Sequence, residues 1–164
     1  MRDGCGDQML ILFQEDKSVI NGFAHELYDF EVHLPNKSQL TVGLPEMYEE
    51  FIFGEPVKSI GTTFCIWLND QNKWTIGDLE NNFNDGSPEM LTIFDGNPQT
   101  YIDWATEYFE ESYTQTGIPL QTVTDIYNGK TLTKSMVLSI VDQIEDWKQL
   151  EKDLVEINYP SHFT

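Results

Sequence analysis

The sequence predicts an α+β fold, in which hairpins build an antiparallel sheet, helices lie on one side of it, and the C-terminal half is helical. In the first half of the chain, apolar residues occur in short runs separated by turn residues, which is typical of strands. In the second half they recur at the three- and four-residue spacing of helices. With 164 residues, of which 40% are apolar, the chain can bury one core, so we predict a single domain over residues 1–164.

Two hairpins are predicted in the first half. Residues 8–13 form an apolar run, and a short polar turn separates it from a second run over residues 18–23. Residues 62–68 are β-branched and aromatic, and residues 73–76 resume the pattern after a polar turn. Each pair of runs therefore indicates two antiparallel strands.

Shorter segments connect these hairpins to each other and to the helical half. Pro45 fits the first turn of an amphipathic segment that ends before Gly54, which predicts a short helix over residues 44–53. Residues 77–86 are rich in Asn, Asp and Gly and predict a loop. A Ser-Pro-Glu sequence then favours a helix start, and residues 90–94 fit either a single helical turn or a short strand.

The second half predicts three helices and a fourth that either stands alone or continues the third. Asn97 is placed to cap the first, which extends to about Ser112. The second covers residues 119–127 and ends at an Asn-Gly pair. Thr133 is placed to cap the third, and the last covers residues 147–157.

The charge of the chain is strongly negative. It has 28 acidic and 9 basic residues, a formal net charge of −19 and a single arginine, Arg2. Residues 74–129 contain no Lys, Arg or His over 56 positions, so their solvent face is expected to be a negative field, unless the charge serves solubility alone. This disfavours nucleic acids and membranes as partners and favours cations or basic proteins. The ten carboxylates of the segment are Asp78, Glu80, Asp85, Glu89, Asp95, Asp103, Glu107, Glu110, Glu111 and Asp125.

Composition narrows the class of protein further. No apolar run has the length of a signal-peptide core or the roughly 20 residues that span a bilayer. The two cysteines, Cys5 and Cys65, have no metal-site spacing, and residues 81–86 lack the ligand pattern of a calcium loop. Motifs for phosphate binding or an activated nucleophile are also missing. We therefore predict a cytoplasmic protein with no metal and no cofactor.

The best catalytic candidate is the pair His25–Glu26, directly after the second predicted strand. A histidine at a strand end can act as a general base or metal ligand, with Asp7 or Asp29 near it. The alternative is a structural pair that closes the strand end through hydrogen bonds. The other two histidines have no ligand spacing to His25, so a three-histidine zinc site is not predicted.

The first predicted helix of the second half combines aromatic and acidic residues. Aromatic side chains surrounded by carboxylates suit the binding of a basic protein, because apolar area supplies affinity and the field supplies speed and selectivity. Tyr101, Trp104 and Tyr108 are expected on the core side, which leaves Phe109 and Tyr113 as exposed contacts. The predicted protein-binding residues are Asp103, Glu107, Phe109, Glu110, Glu111 and Tyr113.

Two short segments carry a resemblance to known families. Residues 6–26, with GDQMLILF and then INGFAHE, resemble the strand pair of small acidic uncharacterised bacterial proteins. They are also similar, more distantly, to the Gly-Asp and His-Glu strand pair of the SUKH-type superfamily, many of whose members are toxin-immunity proteins. LPEMYEEFI, residues 44–52, is similar to that superfamily's helix, which precedes the strand pair there and follows it here. The resemblance implies an α+β binding protein without catalytic residues.

These observations predict a non-catalytic domain that binds another protein through an acidic surface, with an immunity-type protein that neutralises a basic toxin as the leading case. Two alternatives stay open. One is an enzyme that acts on a neutral or cationic small substrate with His25 and Glu26 in its site. The other is a structural homo-oligomer whose aromatic helix forms the subunit interface.

Overall fold

The structure of the protein, a computed structural model, describes residues 6–14, 17–29, 31, 35–78, 84–109 and 112–163. The chain forms two compact units, residues 1–91 and residues 92–164. The single domain expected over the whole chain stays a prediction. Within the described part of the chain, no helix has the length and apolar character that crossing a membrane requires.

The first unit is built on a four-stranded antiparallel sheet whose strands lie side by side in chain order. The two predicted hairpins are both present, and the sheet together with the helices confirms the α+β fold class. The third strand begins two residues later than expected. The strands are β1 (Gln8–Gln14), β2 (Lys17–Phe23), β3 (Phe64–Leu68) and β4 (Trp74–Ile76).

One face of this sheet carries a tightly buried apolar cluster. Val19 on β2 lies directly opposite Trp67 on β3, and Cys65 lies two residues away on the same face. Tyr48 and Ile52, from the segment before β3, pack against these side chains and are fully buried. Tyr48 and Ile52 therefore cover this face of the sheet, and on the opposite face Met9, Ile20 and Phe64 are buried as well.

In the described residues of this unit, four short helices accompany the sheet: α1 (Lys37–Leu40), α2 (Glu49–Phe53), α3 (Val57–Ile60) and α4 (Ser87–Met90). The helix expected over residues 44–53 ends at Phe53 as predicted but starts later, since Glu46–Tyr48 form a 3₁₀ turn. α1 and α3 are not predicted from the sequence, because four residues are too few to show a helical period. Of the two alternatives for residues 90–94, the helical one is observed, since Thr92–Phe94 also form a 3₁₀ turn.

The second unit is mainly helical, which confirms the predicted helical C-terminal half. Its helices are α5 (Pro98–Tyr108), α6 (Leu120–Tyr127), α7 (Lys134–Ile140) and α8 (Trp147–Glu156). Both predicted caps are confirmed. The Asn97 side chain accepts a hydrogen bond from the backbone N–H of Gln99 at 3.0 Å, and the Thr133 hydroxyl accepts one from Met136 at 3.3 Å.

Two short parallel strands, which the sequence analysis misses, close the second unit. β5 (Leu132–Thr133) precedes α7, and β6 (Ser161–His162) follows α8. The Tyr159 hydroxyl reinforces this closure by donating to the backbone oxygens of Ile126 and Lys130, each at 2.9 Å. Segments far apart in the sequence are thereby tied together around a small apolar core of Leu132, Val137 and Leu154.

Candidate functional site

A connected group of aromatic rings on and beside α5 is the main candidate for a binding site. Trp104 stacks on Tyr108 with ring centroids 5.1 Å apart and 18° between the ring planes. Phe109 meets these two rings edge to face, at 5.7 and 4.7 Å. Such pairs are favourable and hold the rings in place. This aromatic cluster contains Tyr101, Trp104, Tyr108, Phe109, Tyr113 and Tyr127.

The two faces of α5 explain which rings reach solvent. Ile102 and Ala105 are buried and form its core side. Tyr108 is 37% exposed and Phe109 39% exposed, so the expectation that Tyr108 faces the core is wrong. Tyr108 is the last residue of α5, and its ring packs on Trp104 and Phe109 rather than in the core beside Ala105. Tyr113, expected as an exposed contact, is half-buried because it packs against the core of the unit.

An apolar pocket of about 380 Å³ adjoins the aromatic cluster, within the second unit. Tyr101, Tyr113 and Tyr127 belong both to the cluster and to the pocket wall. Phe94 and Tyr127 are its most exposed lining residues, so they form its rim. Pockets of this size and character hold apolar groups, with a few polar atoms at the edge to orient them. The remaining wall is formed by Ile93, Ile118, Val123, Ile126 and Ile140.

The hydroxyl groups of Tyr113 and Tyr127 at this pocket keep their protons at neutral pH. Burial raises the pKa of Tyr113 and the pKa of Tyr127, and the neighbouring Tyr101 raises both further. Asp95 adds to the rise of the pKa of Tyr127, so its negative charge acts at the pocket rim. These two hydroxyl groups are therefore available as hydrogen-bond donors.

Carboxylates accompany the exposed rings. Asp103 and Glu107 are exposed on α5, and Asp95 is exposed shortly before it. Of the other predicted binding residues, Glu110 and Glu111 lie outside the described residues. The structure thus brings Asp103, Glu107 and Phe109 into one region of the second unit, with Tyr113 at the pocket wall behind them.

Neutral partners hold two of these carboxylates in place. Asp103 accepts a hydrogen bond from the Gln99 amide at 2.7 Å, and Asp95 accepts one from the Thr100 hydroxyl at 2.7 Å. Amides and hydroxyls orient a carboxylate without cancelling its charge. Residues 92–129 also contain no basic residue. The aromatic cluster therefore lies in a negative field with no cation from its own segment.

The wider acidic segment, residues 74–129, is less uniform than its sequence. Asp85 is buried, and its side chain accepts a hydrogen bond from the backbone N–H of Ser87 at 2.9 Å at the start of α4. Asp125 pairs with Lys130 at 2.7 Å, and this hydrogen bond lowers the pKa of Asp125. These two acids depart from the expected outward, uncompensated charge. Five others are exposed: Asp78, Glu89, Asp95, Asp103 and Glu107.

The pair His25–Glu26 lies in a 3₁₀ turn directly after β2, with both side chains exposed. The backbone N–H of His25 donates to Asp7 Oδ1 at 2.7 Å, so Asp7 is near, as predicted. This contact closes the end of β2 through the backbone of His25, and both roles considered for the two side chains stay predictions. Within the described ranges, no group of three or more His, Cys, Asp or Glu side chains is arranged to hold a metal ion.

A second pocket, of about 390 Å³ in the first unit, is lined by Lys37 and Lys58 together with mostly neutral residues. Lys37 Nζ donates to the backbone oxygen of Ile52 at 2.5 Å and lies 5.4 Å from the centre of the Phe53 ring. Burial lowers the pKa of Lys37. These contacts make Lys37 part of the packing of α1 on α2 rather than a cation held ready for a ligand.

No family model, no curated protein and no solved structure matches this chain. The function of the site is therefore inferred from its own geometry and charge. Sequence reasoning misses the pocket, whose wall joins Phe94, Tyr127 and Ile140 from three separate segments. The one signal for it is Tyr127, an aromatic residue on the last turn of α6 just before the Asn-Gly pair.

Proposed function

We propose that the protein is a non-catalytic binding protein that engages a basic protein through the aromatic cluster, its pocket and the adjacent carboxylates. One observation carries the proposal: exposed aromatic rings occur beside an apolar pocket that residues 92–129 line except for Ile140, and that stretch has carboxylates and no basic residue. Interfaces of this kind take most of their affinity from a few buried apolar anchors. The surrounding charge selects the partner and speeds encounter.

Two parts of the surface have different roles in this proposal, an apolar pocket and a set of carboxylates beside it. An aliphatic or aromatic side chain of the partner enters the pocket past Phe94 and Tyr127, where apolar area is removed from water. Lys or Arg side chains beside that anchor meet Asp95 and Asp103, and they can also lie over the exposed face of Tyr108. Both parts require a partner that is basic and carries at least one apolar anchor.

The SUKH-type resemblance supports a specific version of this proposal, in which the protein acts in the bacterial cytoplasm and the partner is a basic toxin. A toxin that acts on nucleic acid needs Lys and Arg to contact phosphates. The same basic surface would be attracted to a chain of net charge −19. Binding that covers this surface would block the toxin without any catalysis by the present chain.

A matched pair of charge-reversal variants tests the site. Asp103→Lys with Glu107→Lys changes the surface beside the aromatic cluster, whereas Glu151→Lys with Glu156→Lys makes the same change of net charge on α8. The probe is a synthetic peptide with a central leucine flanked by lysines, titrated at low salt by calorimetry. The α5 variant should bind about tenfold more weakly than the wild type, and the α8 variant within about twofold of it.

Equal losses of affinity in both variants would mean that only net charge matters and that no localised site exists.

The apolar part of the site is tested separately. Phe94→Ala changes the pocket rim, and Val155→Ala, which changes an exposed apolar residue on α8, is the control. Only Phe94→Ala should weaken binding of the leucine peptide. His25→Ala should bind as the wild type does; a loss of binding there would move the site to the first unit.

A further inference from the structure

The apolar pocket of the second unit has more space than one protein side chain needs. Its volume of about 380 Å³ lies within the range of about 300–1,000 Å³ that is typical of small-molecule sites. An apolar cavity of about 150 Å³ is already large enough to hold a benzene molecule. The pocket therefore has room for a ring together with a short chain, so a small molecule can occupy it without being part of a protein.

The pocket has a buried end and an accessible end. Ile118 and Val123 are buried and form its floor. Phe94 is 52% exposed and Tyr127 43% exposed, so the rim is in contact with solvent. A ligand that enters past these two rings places its apolar end on the floor, where it leaves water, and its other end at the rim.

Aromatic rings make up a large part of the pocket wall. Phe94, Tyr101, Tyr113 and Tyr127 all line it. The rings of Tyr101 and Tyr127 have centroids 6.4 Å apart and planes 57° apart, so they are tilted to each other rather than stacked. The face of an aromatic ring attracts cations, and the attraction grows where water is excluded. The wall therefore favours a positive group over a negative one.

The charge at the rim has the sign that complements such a ligand. Asp95 directly follows Phe94, is exposed, and acts on the Tyr127 hydroxyl by raising its pKa. The Asp95 carboxylate accepts hydrogen bonds from the backbone N–H of Asn97 and from the Thr100 hydroxyl, each at 2.7 Å. Both donors are neutral, so they hold the carboxylate in place without cancelling its charge. The lining residues that the structure describes include no basic residue.

We propose that this pocket binds a small lipophilic cation, an amine in its positive form attached to an aromatic or branched apolar body. The body occupies the floor, and the ammonium group lies at the rim beside Asp95 and the ring of Tyr127. The inference goes beyond the proposed function, because it depends on the pocket alone and requires no protein partner. A bound amine would also compete with the apolar anchor of a basic protein for the same space.

Three ligands with the same phenylpropyl body test the role of charge. Phenylpropylamine is positive at neutral pH, phenylpropanol is neutral and phenylpropanoate is negative. Each is titrated into the isotope-labelled full chain and followed by NMR, which gives both the affinity and the residues that respond. The amine should bind at least about fivefold more tightly than the alcohol, and the propanoate most weakly. Absence of amine binding, equal affinities of amine and alcohol, or shifts away from the pocket residues would overturn the inference.

A matched pair of variants tests the carboxylate at the rim. Asp95→Asn removes its charge but keeps an oxygen for the backbone N–H of Asn97. Asp153→Asn is the control, because Asp153 is also exposed and accepts a hydrogen bond from a neutral group, the Gln149 amide at 2.7 Å, but does not line the pocket. Asp95→Asn should reduce the affinity of the amine to about that of the alcohol and leave the alcohol within about twofold. Equal effects of the two variants on the amine would show that only net charge matters and would contradict the inference.

Two substitutions of Tyr127 test the aromatic contact. Tyr127→Phe keeps the ring, whereas Tyr127→Leu keeps an apolar side chain without a ring, and both changes are at an exposed position. Tyr127→Leu should weaken the amine at least about threefold more than the alcohol, and Tyr127→Phe should affect the two ligands equally. A Tyr127→Leu protein with the wild-type preference for the amine would exclude the ring as the partner of the cation. None of these titrations contains a peptide, so their failure is distinguishable from a failure of the proposed function.

Discussion

Gly22 on β2 is a position where a single methyl group should break the packing of the sheet. It lies directly opposite Phe64 on β3. A Cβ at Gly22 would stand 2.0 Å from the Cε1 and Cζ atoms of the Phe64 ring, whereas carbon atoms pack best at about 3.5–4.0 Å. Phe64 is fully buried, so the ring cannot simply swing into water. Gly22→Ala must therefore displace the ring or separate the two strands.

The size of the destabilisation follows from the packing contacts that the Phe64 ring loses. Removing a buried phenylalanine side chain destabilises a protein by about 3–5 kcal/mol, which bounds the case where Phe64 is expelled. Replacing glycine by alanine also restricts the unfolded chain, which returns about 0.4–1 kcal/mol. We expect Gly22→Ala to lower the free energy of unfolding by about 2–4 kcal/mol, measured by urea denaturation with circular dichroism.

A double-mutant cycle shows whether the ring is the cause. Phe64→Leu shortens the side chain that fills the space above Gly22, so Gly22→Ala should be less harmful in its presence. The coupling energy between the two substitutions should be at least about 1 kcal/mol. A Gly22→Ala protein within about 0.5 kcal/mol of the wild type, or strictly additive effects, would refute the reasoning.

Three further predictions concern stability and are measured by urea unfolding. Burial raises the pKa of Cys65 to about 12 from 9.0, so above pH 9 only the folded state keeps the thiol proton. The free energy of unfolding then falls by about 1.4 kcal/mol per pH unit relative to Cys65→Ala, and equal slopes would contradict this. Asp146 accepts hydrogen bonds from two backbone N–H groups at the start of α8, at 2.9 and 3.0 Å. Asp146→Ala should lower the free energy of unfolding by about 1 kcal/mol, and Asp146→Asn should lower it much less. Equal losses of stability in the two variants would exclude a capping role for this side chain. Asn21 is fully buried, donates to Gly61 O at 3.0 Å and accepts from the Thr62 hydroxyl at 2.7 Å. Asn21→Ala leaves both partners unsatisfied and should cost about 2–3 kcal/mol, whereas a neutral result would mean that water replaces the amide.

The elements that the sequence predicts are those with strong local signals. The apolar runs of β1 and β2 and the caps at Asn97 and Thr133 depend on neighbouring residues, and the structure confirms them. α1 and α3 are one turn long, and β5 and β6 are two residues each. Elements this short exist only because distant parts of the chain hold them, so local patterns cannot reveal them.

The candidate site, too, is predictable from the sequence only where its residues are close together in the chain. The mixture of aromatic and acidic residues on α5 is visible in the sequence, because it recurs within a single helix. The pocket is not visible, because Phe94, Tyr113 and Ile140 meet only after α5, α6 and α7 have packed. The error at Tyr108 has a simple origin. The helical spacing predicts Tyr108 on the core side, but the buried residues of α5 are Ile102 and Ala105. The Tyr108 ring packs on Trp104 and Phe109 at the end of the helix.

The parallel pairing of β5 with β6 makes the second unit depend on the stretch after α8. The backbone N–H of Leu132 donates to the oxygen of Pro160 at 2.8 Å, and the Phe163 ring rests 5.1 Å from that of Trp147. A protease that cuts after Ile157 would separate β6 and Phe163 from the rest of the second unit. Trp147 would then become more exposed, although α5, α6, α7 and α8 would remain whole.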